Sequence, residues 1–214
     1  MIEPVIEDNM WTCDPLTVGG ISAIAVAGSR LFVATEGKDS TIHVVDANSL
    51  QTLYTFAGEG DSKLDHIRSV TVSADEVYVL DGPAPICKVG ARISAFSHSG
   101  QFLRYVKQPD DFLFQDQLDD ILNAPAGLLD SLRYDDIAYG HGHLYALQHD
   151  GILRVMTVEG AVLQSIQLAG PGTGSGNAGQ MAVQANRLYV TRENHNEVDA
   201  LIAGPDDRSL APPM

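Results

Sequence analysis

The stretch that decides the fold is "RLYVTR", Arg187–Arg192, because three other segments share its build: "RLFVAT" at Arg30–Thr35, "EVYVLD" at Glu76–Asp81 and "HLYALQ" at His143–Gln148. Each follows a second short apolar run, namely Ile24–Val26, Val70–Val72, Ile137–Tyr139 or Met181–Val183. The turn formers "AGS", "SAD", "GHG" and "QAN" separate the two runs, so each pair reads as a β-hairpin. The matched positions Ile24, Val70, Ile137 and Met181 lie 46, 67 and 44 residues apart.

Two further strands follow the hairpin in "STIHVVDANSLQTLYTF" (Ser40–Phe56), "ARISAFSHSGQFLRYV" (Ala91–Val106) and "GILRVMTVEGAVLQSI" (Gly151–Ile166). Each unit is therefore a four-stranded antiparallel meander. One meander cannot bury both of its faces, and units of about 40 to 45 residues with four strands stack as the blades of a β-propeller. The expectation is an all-β chain, residues 1–214 forming one small propeller of about four blades. Ala25, Thr71, Ala138 and Ala182 are small at the centre of the innermost strand, where blades converge and space is tightest.

The last copy is one strand short. In complete units the outer strand ends at Phe56 or Ile166, 14 or 15 residues before Val70 or Met181. Counting back as far from Ile24 reaches Asn9–Met10, so the N-terminal segment "PVIEDNM" (Pro4–Met10) is expected to pair with "NEVDALIA" (Asn196–Ala203) and close the ring. The third unit arrives late because of residues 108–132. There Phe114, Leu118, Ile121 and Leu122 fall at helical spacing and Pro125 interrupts the pattern, which predicts a short helical insertion between the second and third blades.

The cadence of "LYVT" in the last copy and of "LFVATEGKDSTIHVVDANSLQTLYTF" (Leu31–Phe56) in the first resembles YVTN-type propeller repeats, and "LYALQHDGILRVMTVEGAVLQSI" (Leu144–Ile166) is similar to the related NHL type. The resemblance implies a propeller fold. It implies no single activity, because such blades serve enzymes, receptors and scaffolds alike.

With 28 acidic against 13 basic residues, the net charge is -15. Such a surface repels phosphate backbones and anionic headgroups, so neither nucleic acid nor membrane is expected as a partner. Asp far outnumbers Glu, and the lysines are Lys38, Lys63, Lys88 and Lys107 alone. That composition fits a salt-adapted surface or one kept soluble by charge. Two cysteines, Cys13 and Cys87, make no disulfide framework. The acidic opening "MIEPVIEDNMW" lacks the positive start and apolar run of a secretory leader, and every apolar run is too short to span a bilayer. The expected setting is cytoplasmic or within a soluble particle.

"GSGNAG", Gly174–Gly179, matches G-x-G-x-x-G, but a strand follows where a phosphate cradle needs a helix. His141 and His143 flank Gly142 without a third ligand at fixed spacing, and they read as turn residues, as do His149 and His195. Propeller hydrolases and lactonases hold a cation with carboxylates from several inner-strand ends. The corresponding columns here read Ser22, Arg68, Asp135, Gly179 and Ala23, Ser69, Asp136, Gln180, which do not make a ring of hard oxygen ligands, so no metal is expected; Asp135 and Asp136 are the one acidic concentration there, read otherwise as solvation of a strand start or a salt bridge with Arg68 or Arg133. The loops "EGKDST" and "RENHNE" occupy equivalent places in two blades and supply partner-binding candidates: Glu36, Lys38, Asp39 and Ser40 from one, Arg192, Asn194 and His195 from the other. Phe114 and Leu118 of the insertion are candidates for docking a partner. The sequence thus points to a non-enzymatic module acting through protein contacts or self-assembly, with no cofactor. A metal-dependent, lactonase-like hydrolase is the alternative.

Overall fold

The computed structural model describes residues 20–35, 40–82, 91–107, 134–149, 151–168, 178–185, 187–192, 197–203 and 210–211. They form four sheets of four strands, paired antiparallel between chain neighbours. Blade 1 comprises β1 (Ile21–Ala27), β2 (Arg30–Thr35), β3 (Ile42–Asp46) and β4 (Thr52–Phe56). Blade 2 comprises β5 (Ser69–Val72), β6 (Glu76–Asp81), β7 (Arg92–Ser97) and β8 (Phe102–Lys107). Blade 3 holds β9 (Tyr134–Gly140), β10 (His143–Gln148), β11 (Ile152–Met156) and β12 (Val162–Gln167). Blade 4 holds β13 (Ala178–Gln184), β14 (Arg187–Arg192), β15 (Glu197–Ala203) and β16 (Leu210–Ala211). The expected meanders and their phasing are therefore present.

The repeated hairpins begin at two-residue turns. His143 pairs with Gly140, leaving His141 (φ 54°) and Gly142 (φ 77°) as the turn. Two positive φ values in succession define the turn whose twist matches that of paired strands. The imidazole of His143 then lies 2.8 Å from the His141 carbonyl through Nδ1, and His141 meets the Ala185 carbonyl through Nε2. Both histidines of "GHGH" are thus engaged with backbone at a blade corner.

Alternation along each strand sends side chains to two faces, and the faces meet in three apolar seams. Phe32, Ala34, Ile42 and Val44 of blade 1 pack on Val70, Val77, Val79 and Phe96 of blade 2. Tyr78, Leu80, Ile93 and Ala95 of blade 2 meet Ile137, Leu144, Ala146 and Met156 of blade 3. Tyr145, Leu147, Leu153 and Val155 of blade 3 meet Leu188, Val190 and Leu201 of blade 4. β1 contacts β5, β5 contacts β9 and β9 contacts β13, and among the described residues no comparable contact joins β13 to β1. Among the described residues, then, the blades form an arc whose two ends do not meet.

Ion pairs fasten the outer connections. Arg92 donates through Nε to Asp81 Oδ1 at 3.0 Å and through Nη2 to Oδ2 at 3.0 Å. Its guanidinium also donates to the backbone oxygens of Asp61 and Lys63, pinning the link between blades 1 and 2, which includes a 3₁₀ turn at Gly60–Ser62. Burial pushes the Asp81 carboxyl above the usual range while Arg92 pulls it down. Arg104 holds Glu76 at 2.6 Å and donates to the Val158 carbonyl, so a pair within blade 2 also grips blade 3.

One expectation about closure requires correction. The outermost strand of blade 4 is Leu210–Ala211, which pairs with Ala203 and Ile202. It comes from the same end of the chain as β15, and a short return costs far less loop-closure entropy than recruiting a strand from the opposite end. Residues 1–19, which include "PVIEDNM" and Cys13, lie outside the described residues, as do Cys87 and the proposed helical insertion, residues 108–132. Among the described residues there is no α-helix, and none is long and apolar enough to cross a membrane.

Candidate functional site

The four inner strands converge on one cleft of about 640 Å³. Ser69 meets Ile137 and Thr71 meets Tyr139, so the inner strands run in the same sense and their equivalent ends share one mouth. At the N-terminal ends the lining is polar, with Ser22, Arg68, Ser69, Asp136 and Gln180. At the opposite ends it is apolar, with Val26, Val72, Tyr139 and Val183.

Asp136 sits where three blades meet and is 9% exposed. Its Oδ1 accepts from Ser69 Oγ of blade 2 at 2.5 Å and from Ile137 N at 2.9 Å, and its Oδ2 accepts from Met181 N of blade 4 at 2.5 Å. Burial raises its pKa above the ordinary value, against the pull of these three donors. Both oxygens are committed to holding blades together. The neighbouring Asp135 is the extra residue at a register shift in β9, Leu147 pairing with Asp136 and Gln148 with Tyr134, and its Oδ2 lies 2.7 Å from His149 Nδ1. Both side chains are largely buried, 11% and 17% exposed. A carboxylate on Nδ1 fixes an imidazole's orientation and tautomer, which is half of a general-base arrangement. Nearby, Gln148 is 1% exposed and accepts from Arg154 Nε at 2.8 Å.

The two adjacent carboxylates thus have separate surroundings and do not converge on one point. Among the described residues no group of three His, Cys, Asp or Glu side chains is placed to share a cation. Of the loop candidates, Glu36, Lys38, Asp39, Asn194 and His195 lie outside the described residues, as do Phe114 and Leu118, while Arg192 is described only as backbone paired to Glu197. Ser40 is fully buried, and its Oγ accepts from Ile67 N at 3.2 Å, so it ties blade 1 to the strand entering blade 2. Of the glycine-rich stretch, Ala178 and Gly179 belong to β13, where a Cβ on Gly179 would lie 2.3 Å from Thr191 Oγ1. That glycine serves a close approach between strands. His149, a turn residue by sequence alone, is instead paired with Asp135. The signal was present: β9 and β10 form a tight hairpin, which returns the residue after β10 to the start of β9.

The arrangement belongs to the β-propeller class. No family model and no curated protein sequence matches the chain. Among solved structures, the Cps50 (Swd1) β-propeller domain of Myceliophteria thermophila is similar at TM-score 0.61 and 11% identity, over 91% of this chain and 58% of that one. A chain of a nidogen/laminin complex matches at TM-score 0.59 and 14% identity, over 87% and 61%. Glutaminyl cyclase of Myxococcus xanthus matches at TM-score 0.52 and 12% identity, over 89% and 68%. The chain spans about three fifths of the length of the first two.

Proposed function

We propose that the chain is a non-enzymatic propeller module of the YVTN/NHL kind that works through protein–protein contacts. The observation that carries this reading is the use made of Asp136. The carboxylate best placed in the cleft spends both oxygens on Ser69, Ile137 and Met181, fastening three blades instead of facing a ligand. Two of the similar structures are a propeller domain and a chain of a protein complex, which supports a contact role at the level of fold. The test is affinity capture from the native source with the tagged 214-residue chain. A different protein recovered at constant stoichiometry is the expected result.

The specific observation favouring a hydrolase is His149 held by Asp135. Recovery of the chain alone, together with ester or lactone hydrolysis that His149→Ala abolishes in a folded protein, would replace the contact reading with the enzymatic one.

A further inference from the structure

The three seams repeat one chemical pattern, and the arc ends leave one copy of each half of it unused. On the face each blade turns toward its successor, the inner strand carries a small residue and the second strand an aromatic one. These pairs are Ala25 with Phe32, Thr71 with Tyr78, and Ala138 with Tyr145. All three aromatics are at most 3% exposed. In blade 4 the same register pairs Ala182 with Tyr189, and Ala182 is exposed.

On the face each blade turns toward its predecessor, the inner strand carries two apolar residues: Val70 and Val72, Ile137 and Tyr139, Met181 and Val183, all packed in seams. In blade 1 the equivalents are Ile24 and Val26, which are 59% and 61% exposed. Val33 and Val45, farther out on that face, are buried, so the uncovered apolar surface is the inner strand itself.

We infer that a second copy of this chain covers these surfaces, with β13 of each copy packing on β1 of the other to complete an eight-bladed ring around a two-fold axis. The two exposed inner strands are of opposite kinds, β1 apolar at Ile24 and Val26 and β13 small at Ala182, each the kind that the other contacts three times within the chain. A head-to-tail contact made twice closes under two-fold rotation. Propellers are built from about four to eight blades, so two copies of four blades complete a ring within that range.

The polar latch repeats as well. Ser69 Oγ accepts from Ile137 N at 3.4 Å, and Asp136 Oδ2 accepts from Met181 N. Gln180 holds the next place in that column, where in the dimer its side-chain oxygen would accept from Ile24 N of the second copy. This inference names one partner within the protein-contact reading. It is tested by mass rather than by capture, so the two fail separately.

The experiment is sedimentation equilibrium on the wild type, Ile24→Glu and Ala182→Arg, with circular dichroism confirming that each remains folded. The wild type should weigh twice 22.9 kDa and each variant 22.9 kDa. An equimolar mixture of the two variants should recover the dimer. One of its seams is then wild-type on both sides, and the other sets Glu against Arg. A wild-type monomer, an assembly that neither variant changes, or a mixture that stays monomeric would overturn the inference.

Discussion

Asp136 brings a carboxylate into the meeting point of three blades, and the chemistry of that placement separates its charge from its shape. Its three donors come from Ser69, Ile137 and Met181, and burial raises its pKa above the ordinary value. A carboxyl whose folded pKa lies above its unfolded value favours the native state below the unfolded pKa, and that contribution is lost as pH rises through the folded pKa. Asp136→Asn keeps an acceptor for Met181 N, and the Ser69 hydroxyl can turn to accept from the new amide. The stability of Asp136→Asn relative to wild type should therefore rise from about pH 4 upward, then level off once the carboxyl is fully ionised, in paired thermal melts. Asp136→Ala instead strands the Met181 amide, at a cost of about 1–3 kcal/mol, and leaves Ile137 N with only the longer bond to Ser69 Oγ. If Asn and Ala variants melt alike at neutral pH, Asp136 is not a latch.

At the scale of elements, the turns show how closely the blades approach. Gly160, in the turn between β11 and β12, has φ +93°, and a Cβ there would stand 2.0 Å from the Val106 carbonyl of blade 2. Gly142 has φ +77° with open space around the missing Cβ. Gly142→Ala should therefore cost only left-handed strain, about 1–2 kcal/mol, whereas Gly160→Ala must also push two blades apart. Denaturant midpoints of the two variants would check this, and equal losses would mean that the blade 2–3 contact at Val106 yields freely. The hairpins were legible in the sequence because a two-residue turn fixes which residues of "RLFVAT", "EVYVLD", "HLYALQ" and "RLYVTR" share a face. The outer strand of blade 4 was not legible, since counting back from Ile24 assumed a closed ring and two residues, Leu210–Ala211, carry little strand signal of their own. Asp135 and Asp136 read as a pair in sequence, yet Asp135 is the extra residue where the register shifts, Leu147 pairing with Asp136 and Gln148 with Tyr134, and that bulge re-aims the two side chains, one to His149 and the other to Ser69.

For the whole molecule, stability is a sum over seams between neighbouring blades, as expected when each repeat contacts only its neighbours. Three seams are internal, each with an aromatic residue at the same register. The net charge of -15 gives no attraction between copies, so any fourth seam must be driven by apolar contact at Ile24 and Val26. Aromatic truncation reads out which seams exist. Tyr145 is 3% exposed between blades 3 and 4, and Tyr145→Ala should cost about 3–5 kcal/mol at any protein concentration. Tyr189 holds the equivalent place on the outward face of blade 4. Tyr189 is half-buried there, so its loss should cost less than that of Tyr145 in dilute protein. The cost should grow as concentration rises, because a subunit contact stabilises by mass action. Melting temperatures of wild type, Tyr145→Ala and Tyr189→Ala across a hundredfold concentration range would show it: a Tyr189→Ala deficit that stays constant while the wild type gains nothing from concentration would mean that the arc stands alone.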